Sequence, residues 1–359
     1  AVILAVAVVY IASKIRVFPN IMPPVIFMVF MGMMFLFVSF LNEHFYPKAL
    51  RDMILIAVFF MVGGTVTEQN LFRTFRFMSL ALLLFMIIEG YFTQIYAAIL
   101  QPADYYANTR GIQKLETDDS GLFRNSLGYE GRFSFGIFNT HRLSSLFLEQ
   151  VSLANFSMIL AIFTSTFWSK FKRWDRVLYI ATIVFILLTN NSRAASVLCA
   201  VFFIGHFIFP YLPRYMHVTY MPLILLLAAV LFYNPDHPGN LTSDDLQGRI
   251  SYTLYNLSAM GETLFTGGTL QSIYKTFDSG YAYVLMTQTI FGFLALWAFT
   301  SLVVPPSDPG GRRFNSGINT YLFVNLLVGA AVFSIKVSAP LWFIAGYLHY
   351  KQFRASSDT

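Results

Sequence analysis

The sequence predicts an all-α, polytopic integral membrane protein. Three observations predict it. The 359 residues are 56% hydrophobic and only 12% charged, well below the charge content of ordinary soluble domains. Apolar runs of bilayer-spanning length recur from one end to the other. Basic residues gather in alternate short loops, as they do on one side of a membrane. The bilayer is therefore the first partner implied. The net charge of +6 follows largely from those loops and calls for no nucleic acid. The single Cys199 excludes an intrachain disulfide and a cysteine-based metal site.

A spanning helix needs roughly 20 apolar residues. The chain opens inside an apolar run, AVILAVAVVY, without Met, and reads as a fragment that begins in a truncated span at 1–12. No polar mature start follows, so a cleaved signal peptide is not expected. Runs at 24–41, 50–66 and 77–100 come next, with Glu89 inside the last. A long loop, 101–144, leads to spans at 145–168, 177–192, 194–209 and 218–233. A second long loop, 234–281, carries apolar residues at helical spacing over 246–264 and reads as an amphipathic helix on the bundle. Spans at 282–304, 318–335 and 337–349 close the chain, with PPSDPGGRR at 305–313 reading as a turn. The expectation is about eleven spans in one transmembrane domain, 1–359. Glu89 reads as a neutral acid hydrogen-bonded between helices, and His206 as a packed interhelical partner.

One set of alternate loops holds Lys14 and Arg16, Arg73 and Arg76, Lys170 to Arg176, Arg214, Arg312 and Arg313, and Lys351 and Arg354. The positive-inside rule puts this set, and the C-terminus, in the cytoplasm. Both long loops and the turn at Arg193 then lie outside.

On that outer side stand the residues with the most chemistry. Arg142, Ser145 and Glu149 are spaced i, i+3 and i+7, which a helix would put on one face. Arg193 lies in TNNSRAAS, and Arg249 in the second loop, four residues after Asp245. Guanidinium groups bind phosphate oxygens in bidentate fashion, so three arginines suit a lipid-linked diphosphate. Each also has a plain alternative: Arg at a helix end snorkels or caps carbonyls, and Arg249 can pair with Asp245. Asp278, ahead of a span, and Glu149 are the two carboxylates in position to act as a base. Asp278 can equally be a helix N-cap, and Glu149 an arginine's partner. His141 and outer aromatics such as Tyr281 complete the candidate set, the aromatics as stacking faces for sugars.

Four blocks, HRLSSLFLEQVSLAN, LLTNNSRAASVL, GRISYTLYNLSAMGETLFTGG and DSGYAYVLMTQTIFGF, resemble in order and spacing the O-antigen polymerase and O-antigen ligase superfamily. Gln150 stands where that family commonly has Pro, Ala194 where it has Gly, and Asp278-Ser279 where ligases have His-Asn. The last difference leans toward the polymerase branch. The resemblance implies a GT-C-type fold and a metal-independent glycosyltransferase with no cofactor. It would join oligosaccharides carried on undecaprenyl diphosphate, on the periplasmic face of a bacterial inner membrane. A chain-length regulator and a flippase of the same pathway are the implied protein partners. Arg193 and Arg249 would hold the diphosphate, Arg142 the diphosphate or sugar, and Asp278 or Glu149 would be the base. Two alternatives stay open: a ligase passing a finished glycan to an acceptor, and a transporter or flippase, which the lack of repeated halves weakens.

Overall fold

The computed structural model describes residues 2–14, 21–110, 121–122, 135, 137, 141–236, 245–276 and 278–357. Most of the first expected outer loop, and the tip of the second with His237, lie outside these residues. Among the described residues every regular element is a helix. In order they are α1 (Val2–Lys14), α2 (Met22–Leu41), α3 (Pro47–Thr65), α4 (Glu68–Tyr91), α5 (Thr93–Leu100), α6 (Pro102–Arg110), α7 (Gln150–Phe167) and α8 (Arg173–Asn190). They continue as α9 (Arg193–Ile208), α10 (Tyr220–Phe232), α11 (Leu246–Ser258), α12 (Thr263–Thr266), α13 (Leu270–Lys275), α14 (Gly280–Leu302), α15 (Pro309–Leu326) and α16 (Ile335–Ser357).

Five stretches are long and apolar enough to cross a membrane: Met22–Leu41, Glu68–Tyr91, Gln150–Lys170, Arg193–Tyr211 and Gly280–Leu302. The chain is thus an α-helical membrane protein, with five such stretches where eleven spans were expected. The remaining expected spans do contain helix, but those helices fall short in length or in apolar character. Three boundaries also move. The 77–100 run breaks between Tyr91 and Thr93, giving α4 and α5. The span expected from 145 begins at Gln150. The span expected at 318–335 is the helix Pro309–Leu326, because PPSDPGGRR is a helix start and not a free turn. Asp308 accepts the Gly311 N–H at 2.6 Å, and Pro309 supplies a preset φ at the first helical position.

The described chain falls into two compact units, 1–68 with 205–359, and 69–204. In the first, α3 crosses α16 so closely that only glycine fits. A Cβ on Gly63 would strike the Phe343 carbonyl, and one on Gly346 the Phe60 carbonyl. Small residues of this kind let membrane helices approach backbone to backbone. Phe27 on α2 stacks on Phe299 of α14 with ring centroids 4.3 Å apart. Midway along α14 the helix breaks at Thr289 (φ 61°, ψ 179°), a left-handed conformation costly for a β-branched residue, beside the fully buried Gln288.

In the second unit α7 is the core, buried along nearly its whole length. α4 and α8 run parallel beside it. Arg76 and Asp175 join them at one end through hydrogen bonds of 2.8 and 3.0 Å. The Thr189 hydroxyl faces the Met86 sulfur near the other, at 4.0 Å. Phe75 of α4 stacks on Phe163 of α7, with centroids 4.1 Å apart. The hydroxyls of Ser157 and Thr164 on α7 and of Thr182 on α8 bend back to carbonyls of their own helices, so they need no water.

The glycine crossing sets a first prediction. Gly346→Ala should lower the thermal stability of the detergent-purified protein by an amount equivalent to about 1–3 kcal/mol, the usual cost of overpacking. Gly32→Ala in α2, where nothing lies within 4 Å, should stay within about 1 kcal/mol of the parent.

Candidate functional site

The segment 141–150 is not the continuous helix that the spacing of Arg142, Ser145 and Glu149 suggested. Ser145 and Leu148 take left-handed backbone angles (φ 53° and 58°), a single 3-10 turn spans Ser145–Phe147, and Glu149 is extended. The three side chains therefore do not share a helical face. The fully buried Glu89 carboxylate explains this path. It accepts the Ser144 N–H at 2.9 Å, the Ser145 N–H at 2.6 Å and the Ser144 hydroxyl at 2.9 Å. A left-handed Ser145 turns two successive N–H groups toward one anion, the geometry of a nest. Tyr96 of α5 closes the arrangement, its hydroxyl donating to the Ser145 carbonyl at 2.7 Å. Glu89 is hydrogen-bonded, as expected, but to a loop and not between helices.

A second anchor comes from the C-terminal end of α8. The Asn190 amide donates to the carbonyls of Leu143 and Gln150, both at 2.9 Å. Arg142 returns the contact, its Nε donating to the Asn190 carbonyl and its Nη2 to Asn190 Oδ1 at 3.3 Å. Arg142 thus caps a helix end with part of its fork, the plain alternative for an arginine in this place. His141 is buried beside it. Burial pulls its imidazole below the usual histidine range, opposed by a hydrogen bond with the Glu89 main chain. The side chain is accordingly neutral at pH 7. Glu149 is half-buried and accepts the Ser152 hydroxyl at 2.8 Å. Arg193 is exposed as the first residue of α9.

The other unit holds the remaining candidates. Asp245 is the N-cap of α11, accepting the Gly248 N–H at 2.7 Å. Arg249, one turn on, reaches Asp278 Oδ1 at 3.1 Å and the Val328 carbonyl at 3.0 Å from Nη1. The two side chains of this pair are 30% and 49% exposed, so solvent or a ligand reaches both. Asp278 is not the cap of α14. That place belongs to Ser279, which accepts the Ala282 N–H at 3.2 Å. Its carboxylate is therefore not committed to the helix end. Tyr281, expected as a stacking face for sugars, is buried, and its hydroxyl donates to the Phe323 carbonyl at 3.0 Å. It packs the interior of its unit.

The sequence reading missed one polar cluster here. The buried Asp52 accepts from Arg51 at 2.6 Å and from the Tyr283 hydroxyl at 2.9 Å, with Lys48 5.9 Å from the Tyr283 ring centre. The adjacent Lys48, Arg51 and Asp52 were visible only as a charged turn, and nothing marked Tyr283 as their partner. Among the described residues no three His, Cys, Asp or Glu side chains gather as a metal site. The structure brings Arg249 to Asp278 in one unit, and Arg142 to Asn190 beside the Glu89 clamp in the other. Comparison with protein-family models, curated proteins and solved structures finds no match to this chain.

The clamp predicts a local effect. Glu89→Gln replaces one acceptor oxygen by an NH2 group that faces donors. The Ser144 and Ser145 amides should then exchange hydrogen about tenfold to hundredfold faster, the loss of one or two charge-assisted bonds. Amides in the middle of α7 should keep their parent rates. Unchanged exchange at 144 and 145 would mean that Asn190 alone holds the segment.

Proposed function

We propose that the chain is a membrane glycosyltransferase that polymerises oligosaccharide units carried on undecaprenyl diphosphate, at the periplasmic face of a bacterial inner membrane. The observation that carries the reading is the half-exposed Arg249–Asp278 pair immediately ahead of the apolar helix α14. The four sequence blocks that resemble the O-antigen polymerase superfamily support it, and two of them contain this pair.

In the proposed reaction an acceptor sugar hydroxyl attacks the anomeric carbon of the donor glycan. The bond from that carbon to the diphosphate oxygen breaks, and a bond to the acceptor oxygen forms. The hydroxyl proton passes to the Asp278 carboxylate. Protonation removes the charge that held Arg249, so its guanidinium is free to stabilise the departing diphosphate as negative charge gathers there.

In vitro polymer formation from lipid-linked repeat units tests the reading, with thermal stability measured alongside. Asp278→Asn should lower turnover strongly while donor binding stays nearly intact, since a base acts in the transition state. Arg249→Lys keeps the charge and loses the planar fork. It should fold normally and lose about tenfold to hundredfold in rate, the equivalent of one charge-assisted contact. Asp245→Ala removes a helix cap, so it should cost about 1 kcal/mol of stability and leave the rate per folded molecule unchanged. Near-parent polymer from Asp278→Asn at matched protein level would remove this carboxylate from the role.

A further inference from the structure

An unassigned groove lies between α4 and α8, where α8 begins alongside Arg76 and Leu80 of α4. Arg76, Leu80, Lys172, Trp174, Asp175 and Leu178 line it, and it encloses about 440 Å³. Its composition changes with depth. Lys172, Trp174 and Arg76 stand at the mouth, while Leu80 and Leu178 lie four residues further along their helices, about 6 Å deeper. Beyond them the outward faces are apolar and exposed: Leu84 on α4 and Val184 on α8. In a membrane protein such faces meet acyl chains.

The charge near the mouth is one-sided. Lys172 of the lining is exposed, as are Arg73, Lys170 and Arg173, which lie within three residues of lining residues along the chain. The acid of the groove, Asp175, is buried and already takes two hydrogen bonds from Arg76. That pair also holds the Arg76 guanidinium in place. Trp174 is 84% exposed, an aromatic of the kind that sits at the level of lipid headgroups. We propose that this groove binds an anionic phospholipid of the adjoining leaflet, its phosphate at Lys172 and the groove mouth and one acyl chain along Leu80 and Leu178. Cationic mouth, interfacial tryptophan and apolar floor match the three parts of such a lipid in order. The proposal rests on the membrane character of the chain and is independent of the glycosyltransferase reading.

Brominated lipids that quench tryptophan test it on the full chain in vesicles. Phosphatidylcholine vesicles containing a minor share of brominated phosphatidylglycerol should quench the Trp174 contribution more than the same share of brominated phosphatidylcholine does. Trp174→Phe, carried as a parallel sample, defines that contribution. Lys172→Ala, at an exposed position, should reduce the preference for phosphatidylglycerol about fivefold, the usual effect of one basic residue near a lipid surface. Inorganic phosphate should displace the quenching no better than chloride at equal ionic strength. Equal quenching by the two brominated lipids, an unchanged preference in Lys172→Ala, or selective displacement by inorganic phosphate would each overturn the proposal, the last by making the site one for a free anion.

Discussion

Away from water, each main-chain N–H and C=O must find its partner within the protein. The turn at 144–148 is where this constraint is hardest to meet. Two left-handed residues break the helical pattern there, and the freed N–H groups point inward. Glu89 resolves it with two main-chain donors and a hydroxyl on one carboxylate. Without that carboxylate, Ser144 and Ser145 would be buried donors, each costing about 1–3 kcal/mol. The contact also fixes where α7 begins, and so where Arg142 and Glu149 emerge. Asn190 does the same from the other side with its amide and main-chain carbonyl.

Within each unit taken by itself, one group of basic residues lies at the other end of the helices from the candidate residues. In the unit 69–204, Arg76 of α4 pairs with Asp175 near the start of α8, while Glu89 and Asn190 stand near the finish of the two helices. In the other, α15 starts at Arg312 and Arg313, which donate to the carbonyls of Pro210 and His206. It finishes just before Val328, whose carbonyl accepts from Arg249. His206 takes part through its main chain, while its ring packs 5.1 Å from Phe207.

The helical membrane character was legible in the sequence because it depends on hydropathy summed over many residues. α2 and α14 fall close to their expected limits for that reason. Local chemistry misled where one pattern has two meanings. Asp308-Pro309-Gly310-Gly311 carries both turn and helix-start signals, and only the Asp308 hydrogen bond separates them. The i, i+3, i+7 spacing from Arg142 read as a helical face, yet the left-handed turn at Ser145 depends on Glu89, 56 residues earlier in the sequence. Arg249 and Asp278 were each singled out as charged outer-side residues. Their pairing was not legible, since Asp245 offered a nearer partner along the chain. Tyr281 was chosen for its place in a loop and proved to be the second residue of a buried helix.

The central claim is that the end bearing Arg249 and Asp278 faces outward and the basic end of α8 faces inward. Single cysteines in a Cys199→Ser background test it most directly, using an impermeant thiol reagent on cells with a permeabilised outer membrane. Glu262→Cys, after α11, and Lys172→Cys and Ser307→Cys, at the two basic ends, all replace exposed residues. The account predicts labelling at 262 in intact cells, and labelling at 172 and 307 only after the inner membrane is opened. Labelling of 172 or 307 in intact cells with 262 protected would contradict it, by putting the Arg249–Asp278 pair on the cytoplasmic side.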